Sequence, residues 1–456
     1  MSSALVVSGG GTKGAFEVGA LEYLSRKADF YPRIMAGTSA GSLICAPLAQ
    51  AANAEQFKEL VGVVRSNCLA ITKITDMFAR EPWLDEISDT PLGTFIAELI
   101  SVRSRPPLAA DPEDVSGSLT SGDPPMKHHT LFTVGRTVAK SGELLKASKY
   151  LRESPTAIMN LDPTEAGYRG QRSGGVAPID EERIASSGVT LRITVTSLTD
   201  GVGRYVTEKG SMVAADAVTP YKAGGTPGVI EGICASSSVP IVFPPRRIGD
   251  CVYVDGGIVQ NTPLSAALSC GAKDVIVLLA SSRTMTRDET DYTKSSFLTI
   301  YSRAAQDITA RELERVSLSS PTTRSSVTFV EPTVNVLGLF EIEAALLKID
   351  FDYGWLRAAE AMAELTSEER QALGAASDAI IQQRERAWFA EERILECGPE
   401  ADLVGSLRRS RQRVVESVAI WEPYGLPQPK NMKRWGHTWE EHDQQIPDAL
   451  QDVAVV

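Results

Sequence analysis

The stretch Gly37-Thr38-Ser39-Ala40-Gly41 fits the GxSxG pattern, in which the central serine acts as a nucleophile. Its glycines, Gly37 and Gly41, permit the strained strand-to-helix turn that presents a serine hydroxyl to a substrate. The pentapeptide alone is a weak signal, because small residues in loops match it often. Its position between the apolar run Arg33–Ala36 and the helix-like stretch Leu43–Ala52 is the expected context. We therefore predict that Ser39 is a nucleophile.

A glycine-rich loop, Gly9-Gly10-Gly11-Thr12-Lys13-Gly14, follows the first apolar run and matches GxGxxG. A dinucleotide site would need an acidic residue at the end of the second strand, and none is present there. A Walker A loop would need Ser or Thr after Lys13, where Gly14 stands. A phosphate site and a purely structural turn remain alternatives. The favoured interpretation is an oxyanion-binding loop, because glycine backbone N–H groups at a helix start can approach a ligand closely.

A serine nucleophile needs a base, since its free hydroxyl reacts poorly at neutral pH. The four histidines lie in segments that look solvent-facing: His128 and His129 after a Pro-rich stretch, His437 and His442 in a Trp-rich tail. Asp255 instead follows the apolar run Cys251–Val254 and precedes two glycines, so a tight turn would present its carboxylate at a strand end. From the residues alone, a simple hairpin turn at Asp255 is an equal alternative.

The elements that must position these residues follow from hydrophobic periodicity. The opening of the chain is predicted to be strand, loop, helix, strand, turn, helix. Further strands are predicted at Leu191–Ser197, Arg204–Thr207, Val252–Val254 and Val275–Leu279, with helices at Gln56–Val64, Pro91–Val102 and Val229–Ser236. From Phe340 onward the pattern is helical, and Ser367–Leu395 is predicted to be a charged helix.

Composition limits the classes of function. The 456 residues carry a formal net charge of −12, which argues against nucleic acid as a partner. Six cysteines without CxxC spacing favour reduced thiols and a cytoplasmic setting, and make a metal cluster improbable. No signal peptide and no apolar run of membrane-spanning length is evident, so any membrane contact is expected to be peripheral.

Taken together, these residues resemble the patatin-like phospholipase family, which is related in design to cytosolic phospholipase A2. The resemblance covers roughly residues 4 to 290 and is weaker to about Ala363. It rests on motifs in the family's order and spacing, which are Gly9–Gly14, Gly37–Gly41, Ala235–Pro240 with Phe243-Pro244-Pro245, and Asp255-Gly256-Gly257 followed by Asn261-Thr262-Pro263.

The resemblance implies a three-layer α/β/α fold with a central, mostly parallel sheet and a C-terminal helical extension. It also implies a catalytic dyad of Ser39 and Asp255 without histidine, an oxyanion hole in the glycine-rich loop, and no metal or cofactor. The implied activity is hydrolysis of acyl esters in membrane or micellar lipid through an acyl-enzyme. An acyltransferase on the same dyad and a non-catalytic nucleotide-binding module are the alternatives.

Two regions depart from the simplest family members and set the predicted domain organisation. A catalytic domain is expected over residues 1–365, with a long mobile loop at 103–125, and a helical extension over 366–456. The arginines and tryptophans of the extension suit either a membrane surface or, as favoured, a helical cap or oligomer contact. Oligomeric state and the physiological lipid do not follow from the sequence.

Overall fold

A computed structural model describes most of the chain, namely residues 3–27, 30–84, 157–172, 175–222, 225–284, 291–294, 300, 303–304, 308–319, 325–437, 439, 442 and 446–451. Three sequence predictions lie outside these residues: the helix at Pro91–Val102, the mobile loop at 103–125, and the position of His128 and His129.

A nine-stranded sheet forms the centre of the described structure. Its strands are β1 (Ser3–Val7), β2 (Ile34–Gly37), β5 (Thr190–Ser197), β6 (Gly203–Thr207), β7 (Met212–Val213), β8 (Arg246–Ile248), β9 (Cys251–Asp255), β10 (Asp274–Leu278) and β11 (Ser326–Val330), while β3 (Ala79–Arg80) and β4 (Met159–Asn160) form a separate pair. The main order is β11-β10-β1-β2-β5-β6-β7, and β9 pairs with both β5 and β8. The five strands from β11 to β5 are parallel, and the others pair antiparallel.

Helices cover both faces of the sheet. They are α1 (Gly14–Leu24), α2 (Ala40–Leu48), α3 (Ala54–Ala70), α4 (Asp162–Tyr168), α5 (Glu181–Ser186), α6 (Val229–Ser236), α7 (Leu264–Ser269), α8 (Thr309–Leu318), α9 (Ala344–Ala361), α10 (Ser367–Cys397) and α11 (Ala401–Trp421). Side chains of β1 alternate between two cores. Leu5 and Val7 pack in the core that contains α1, whereas Ala4 and Val6 pack in the core that contains α7. The predicted three-layer α/β/α architecture with a mostly parallel sheet is therefore confirmed.

The first helix is held against a helix from far along the chain. A side chain at Gly19 of α1 would collide with the Phe351 carbonyl, and one at Gly354 of α9 would collide with the Phe16 carbonyl. Glycine at both positions lets the two backbones cross at short range. The α1 helix, which begins directly after the glycine-rich loop, is thus fixed by α9.

In the C-terminal part, α10 packs against α9, and α11 packs against α10. The capping box of Thr366 and Glu369 begins α10, as a Thr side chain and a Glu side chain satisfy each other's backbone N–H groups. Arg384 of α10 pairs with Asp352 of α9 at 2.8 Å. The division of the chain at residue 366 stays a prediction. None of the described helices is long and apolar enough to cross a membrane.

The tail differs from its predicted surface character in one respect. Trp421, Trp435 and Trp439 are buried, and so is His442, whereas His437 is exposed. The prediction that His442 faces solvent was wrong. Trp435 and Trp439 pack in the interior against α10 and α11, so the neighbouring residues of the tail, including His442, also lie in the interior. These indole rings pack within the protein and do not face a membrane.

Candidate active site

Strands β2 and β9 both pair with β5, and their C-terminal ends point towards each other. This arrangement brings the two predicted catalytic residues together. Strand β2 ends at Gly37, which is paired with Ile193, and β9 ends at Asp255, which is paired with Val195. Both strands lie on the same side of β5, because β6 occupies its other side. The two strand ends are therefore about 7 Å apart along β5, at about 3.3 Å per residue. This gap is where the loops that carry Ser39 and Asp255 emerge.

Ser39 occupies the strained turn between β2 and α2. Its backbone angles are φ 52° and ψ −121°, a conformation that non-glycine residues rarely adopt. Side chains at Gly37 or Gly41 would collide with neighbouring backbone, so the turn requires glycine at both positions. The Ser39 N–H donates to the Ser236 hydroxyl at 2.9 Å, and the Ser42 hydroxyl donates to the Ser39 carbonyl at 2.6 Å. These two hydrogen bonds hold the backbone of the sharp turn at the N–H and at the carbonyl group of Ser39.

Asp255 is a buried carboxyl group at the end of β9, with 6% of its surface exposed. Its Oδ1 accepts the Gly257 N–H at 2.7 Å. Burial raises the pKa of this carboxyl from 3.8 to about 6, against the lowering influence of the Ser39 hydroxyl and the Gly257 N–H. Removal from water disfavours the charged form, so Asp255 holds a proton more readily than an ordinary aspartate.

The second oxygen of Asp255 is available to the serine. Its Oδ2 is buried and has no complete hydrogen bond among the described residues. The Ser39 hydroxyl lies close enough to the carboxyl to lower its pKa. The hydroxyl and the carboxylate are therefore neighbours without the full geometry of a hydrogen bond, which is common for catalytic pairs without a bound substrate.

The glycine-rich loop borders the same turn. A side chain at Gly9 would lie 3.2 Å from Cβ of Ser39, and Asn261 holds Gly9 by two hydrogen bonds of 3.1 Å. Gly11 has φ +59°, and a side chain there would collide with the Leu339 carbonyl. The predicted loop Gly9–Gly14 and Ser39 thus lie together, and Gly9 and Gly11 are sites where only glycine fits.

The backbone N–H groups of this loop are not equivalent. Those of Gly9, Thr12, Lys13 and Gly14 donate to carbonyl groups of the protein. Those of Gly10 and Gly11 have no hydrogen-bond acceptor in the part of the chain that the structure describes. Of the six residues predicted to form an oxyanion hole, Gly10 and Gly11 are the two with N–H groups left for a ligand.

Neither tail histidine joins this arrangement. The hydrogen bonds of Ser39 and Asp255 within the described residues involve no imidazole. His442 Nε2 instead lies 3.4 Å from Glu392 and 3.8 Å from Glu391 on α10. The carboxylate of Asp200, between β5 and β6, accepts a hydrogen bond from Arg204 and takes no part in the site.

Three supporting residues were not among the predicted site residues. Ser236 and Asn261 belong to the motifs that carried the resemblance, and that membership was the signal that could have identified them. Leu339 accepts the Thr12 N–H at 3.0 Å, more than 300 residues away in the chain. No local pattern could have indicated that contact.

The family model for patatin-like phospholipases matches residues 5–104 and 195–268, which contain Ser39, Asp255 and the glycine-rich loop. No curated protein matches the chain significantly.

Two solved structures are similar at low identity. VipD from Legionella pneumophila is 15% identical, with 93% of this chain and 85% of that chain covered and a TM-score of 0.29. A chain of the heterodimeric ExoU-SpcU complex from the type III secretion system of Pseudomonas aeruginosa is 17% identical, with 93% and 88% covered and a TM-score of 0.23. TM-scores this low carry no argument, so the assignment follows from the family model. The family model thus identifies residues 5–104 and 195–268 as similar to patatin-like phospholipases, a family of lipid hydrolases.

Proposed function

We propose that this protein is a serine lipid acyl hydrolase, of phospholipase A or lysophospholipase type, that uses Ser39 as nucleophile and Asp255 as base. The observation that carries the proposal is the Ser39 hydroxyl in a strained turn beside a buried carboxyl whose pKa is raised to about 6. A base with a pKa near the working pH accepts and returns a proton efficiently.

The proposed reaction has two stages. Oγ of Ser39 attacks the ester carbonyl carbon while its proton passes to Asp255, and the carbonyl oxygen becomes an oxyanion. Collapse of this intermediate breaks the ester C–O bond, and the leaving alcohol takes the proton from Asp255. Water then attacks the acyl-serine with Asp255 again as base, and collapse releases the fatty acid and restores the Ser39 hydroxyl.

Two features support the oxyanion site and the substrate class. The unpartnered N–H groups of Gly10 and Gly11 would donate to the oxyanion, a contribution worth roughly 3–4 kcal/mol per donor in known enzymes. Aliphatic side chains are exposed on the segments that carry the site: Ile241, Ile258, Val259 and Leu339 are between 41% and 63% exposed. Such side chains suit a substrate with hydrocarbon chains better than a small polar ester.

The test is lipid mass spectrometry after mixed phospholipid vesicles meet the wild type or Ser39→Ala. Wild type should release free fatty acid and the matching lysophospholipid, and Ser39→Ala should release neither while keeping the wild-type Tm. Ser25→Ala, at the far end of α1, is the matched control and should act like wild type. Lipid release by Ser39→Ala at the wild-type rate would refute the proposed nucleophile.

A further inference from the structure

Glu17 is a fully buried carboxyl group that the reaction itself does not use. It lies in the first turn of α1, the helix that begins at Gly14 of the glycine-rich loop, and 0% of its surface is exposed. Side chains in a helix point back towards its N-terminus. Glu17 therefore reaches towards the junction of β1 and the loop.

At that junction Glu17 binds Ser8, the residue directly before Gly9. Its Oε1 accepts the Ser8 hydroxyl at 2.9 Å and the Ser8 N–H at 3.1 Å. The Ser8 hydroxyl in turn accepts the Ala280 N–H at 2.9 Å, just beyond the end of β10. Ala280 packs against Gly10, where any side chain would collide with its methyl group. One carboxyl group thus links the helix, the strand end and the neighbour that borders Gly10.

This carboxyl group is costly to bury. Its Oε2 has no hydrogen-bond partner among the described residues. Burial raises the pKa of Glu17 well above its ordinary value, the two hydrogen bonds from Ser8 oppose this, and the nearby carboxyls of Asp350 and Glu314 raise it further. An apolar side chain of similar size would serve the stability of this core better. A half-satisfied buried acid next to a functional loop points to a role in that loop.

We propose that Glu17 is a positioning residue for the oxyanion loop, which it acts on through Ser8 and Ala280 to set the N–H groups of Gly10 and Gly11. The proposal rests on the proposed function, since it assumes that these N–H groups meet the oxyanion. Glu17 itself touches no reacting atom. Its effect should appear in the chemical step and not in substrate binding.

The test compares two substitutions in the purified full chain, using kcat and KM for p-nitrophenyl butyrate and the rate of fluorophosphonate labelling. Glu17→Leu removes both bonds to Ser8, and it should lower kcat and the labelling rate by about 10- to 100-fold, short of the 10²–10³ of deleting an oxyanion donor. KM should stay within about twofold, because binding of the ground state is not altered. Glu17→Gln keeps an acceptor oxygen and should restore kcat.

A structural role would produce a different pattern. Leu24→Val, at the buried end of the same helix, should lower Tm and leave kcat per folded molecule unchanged. Should Glu17→Leu fail to fold, Ser8→Ala provides the same test, since it removes the hydroxyl that both Glu17 and Ala280 bind. In the double variant Ser8→Ala with Glu17→Leu, kcat should fall no further than in the worse single variant, because both act on one link.

The outcomes separate this inference from the proposed function. If wild type neither hydrolyses the ester nor labels at Ser39, the proposed function fails and the inference fails with it. If wild type is active and Glu17→Leu lowers Tm but not kcat, only the role of Glu17 is overturned. Failure of Glu17→Gln to restore kcat overturns the acceptor-oxygen mechanism.

Discussion

Two buried carboxylates in this protein have opposite surroundings. Asp255, at the end of β9, has no cation beside it, and its Oδ2 lacks a complete hydrogen bond among the described residues. Glu391, in the middle of α10, is bound by Arg411 at 2.8 Å, and Arg411 is itself 1% exposed. A buried charge that is paired holds elements together, whereas one left unpaired is destabilised and ready to accept a proton. The comparison separates the part of the molecule suited to chemistry from the part suited to stability.

The first prediction concerns Asp255→Asn. The amide keeps an oxygen for the Gly257 N–H but cannot accept the Ser39 proton, so kcat should fall by roughly 10²–10⁴ or more. Steady-state hydrolysis of a short p-nitrophenyl ester measures this directly. Turnover close to wild type would mean that Asp255 is not the base. The unpaired Asp255 and the paired Glu391 would then not differ in function.

The same carboxyl predicts opposite pH effects on rate and stability. The base must be ionised, so wild-type kcat should fall about tenfold per pH unit below its pKa of about 6. Because the pKa is raised in the folded state, protonated Asp255 stabilises the fold, and this contribution is fully present below about pH 4. It is lost as the pH rises to about 6, which lowers the free energy of unfolding by about 3 kcal/mol at most. Asp255→Asn should therefore raise Tm at pH 7.5 and not at pH 4. An unchanged Tm at both pH values would indicate that Asp255 is not destabilised by burial.

The third prediction concerns the paired carboxylate. Arg411→Met leaves Glu391 without its guanidinium partner. Loss of one partner from a buried ion pair typically lowers the free energy of unfolding by about 3–5 kcal/mol, and we expect a loss of that size here. Urea unfolding should show this loss, while kcat of the folded enzyme stays unchanged. Arg408→Met, at an exposed position on the same helix, is the control and should alter stability by less than about 0.5 kcal/mol. Reduced kcat in folded Arg411→Met would show that the tail takes part in chemistry.

The smallest effect is expected for the tail histidines. The double change His437→Gln and His442→Gln should keep at least about a tenth of wild-type activity, which allows about 1.4 kcal/mol for indirect effects. His442 lies beside Glu391 and Glu392, so Tm is the property that should respond. A thousandfold loss of turnover on a short ester with Tm unchanged would favour a histidine-dependent triad over the dyad.

Much of the sheet and of the site could be predicted because the signals are local. Strands β5 and β6 correspond to the strands predicted at Leu191–Ser197 and Arg204–Thr207, and the strained turn at Ser39 follows from the glycines on either side. The glycine-rich loop was predicted as a unit for the same reason. The two unpartnered N–H groups of this loop could not be predicted, because they depend on which carbonyl groups accept the other N–H groups of the loop.

The elements that escaped prediction have weak local patterns or distant partners. Strand β11 is an edge of the sheet within the described residues and pairs with β10, and its residues are mostly half-exposed, so no clear alternation marks it. The burial of His442 depends on α10 and α11, which a tail of mixed Trp, Glu and Lys does not reveal. The role proposed for Glu17 depends on its contact with Ser8, which no local pattern in the sequence marks. In each case tertiary packing overrides the local sequence.

The close crossing of α1 and α9 has a consequence for biosynthesis. Ser39 and Asp255 leave the ribosome well before the residues that fix the glycine-rich loop, since Thr12 contacts Gly338 across 326 positions and Phe16 contacts Asp350 across 334. Domains generally fold as units during synthesis. A nascent chain therefore carries its reactive groups without a formed loop until about three quarters of it has been made. The loop that borders Ser39 is thereby completed late in translation, after the residues of the proposed dyad have been made.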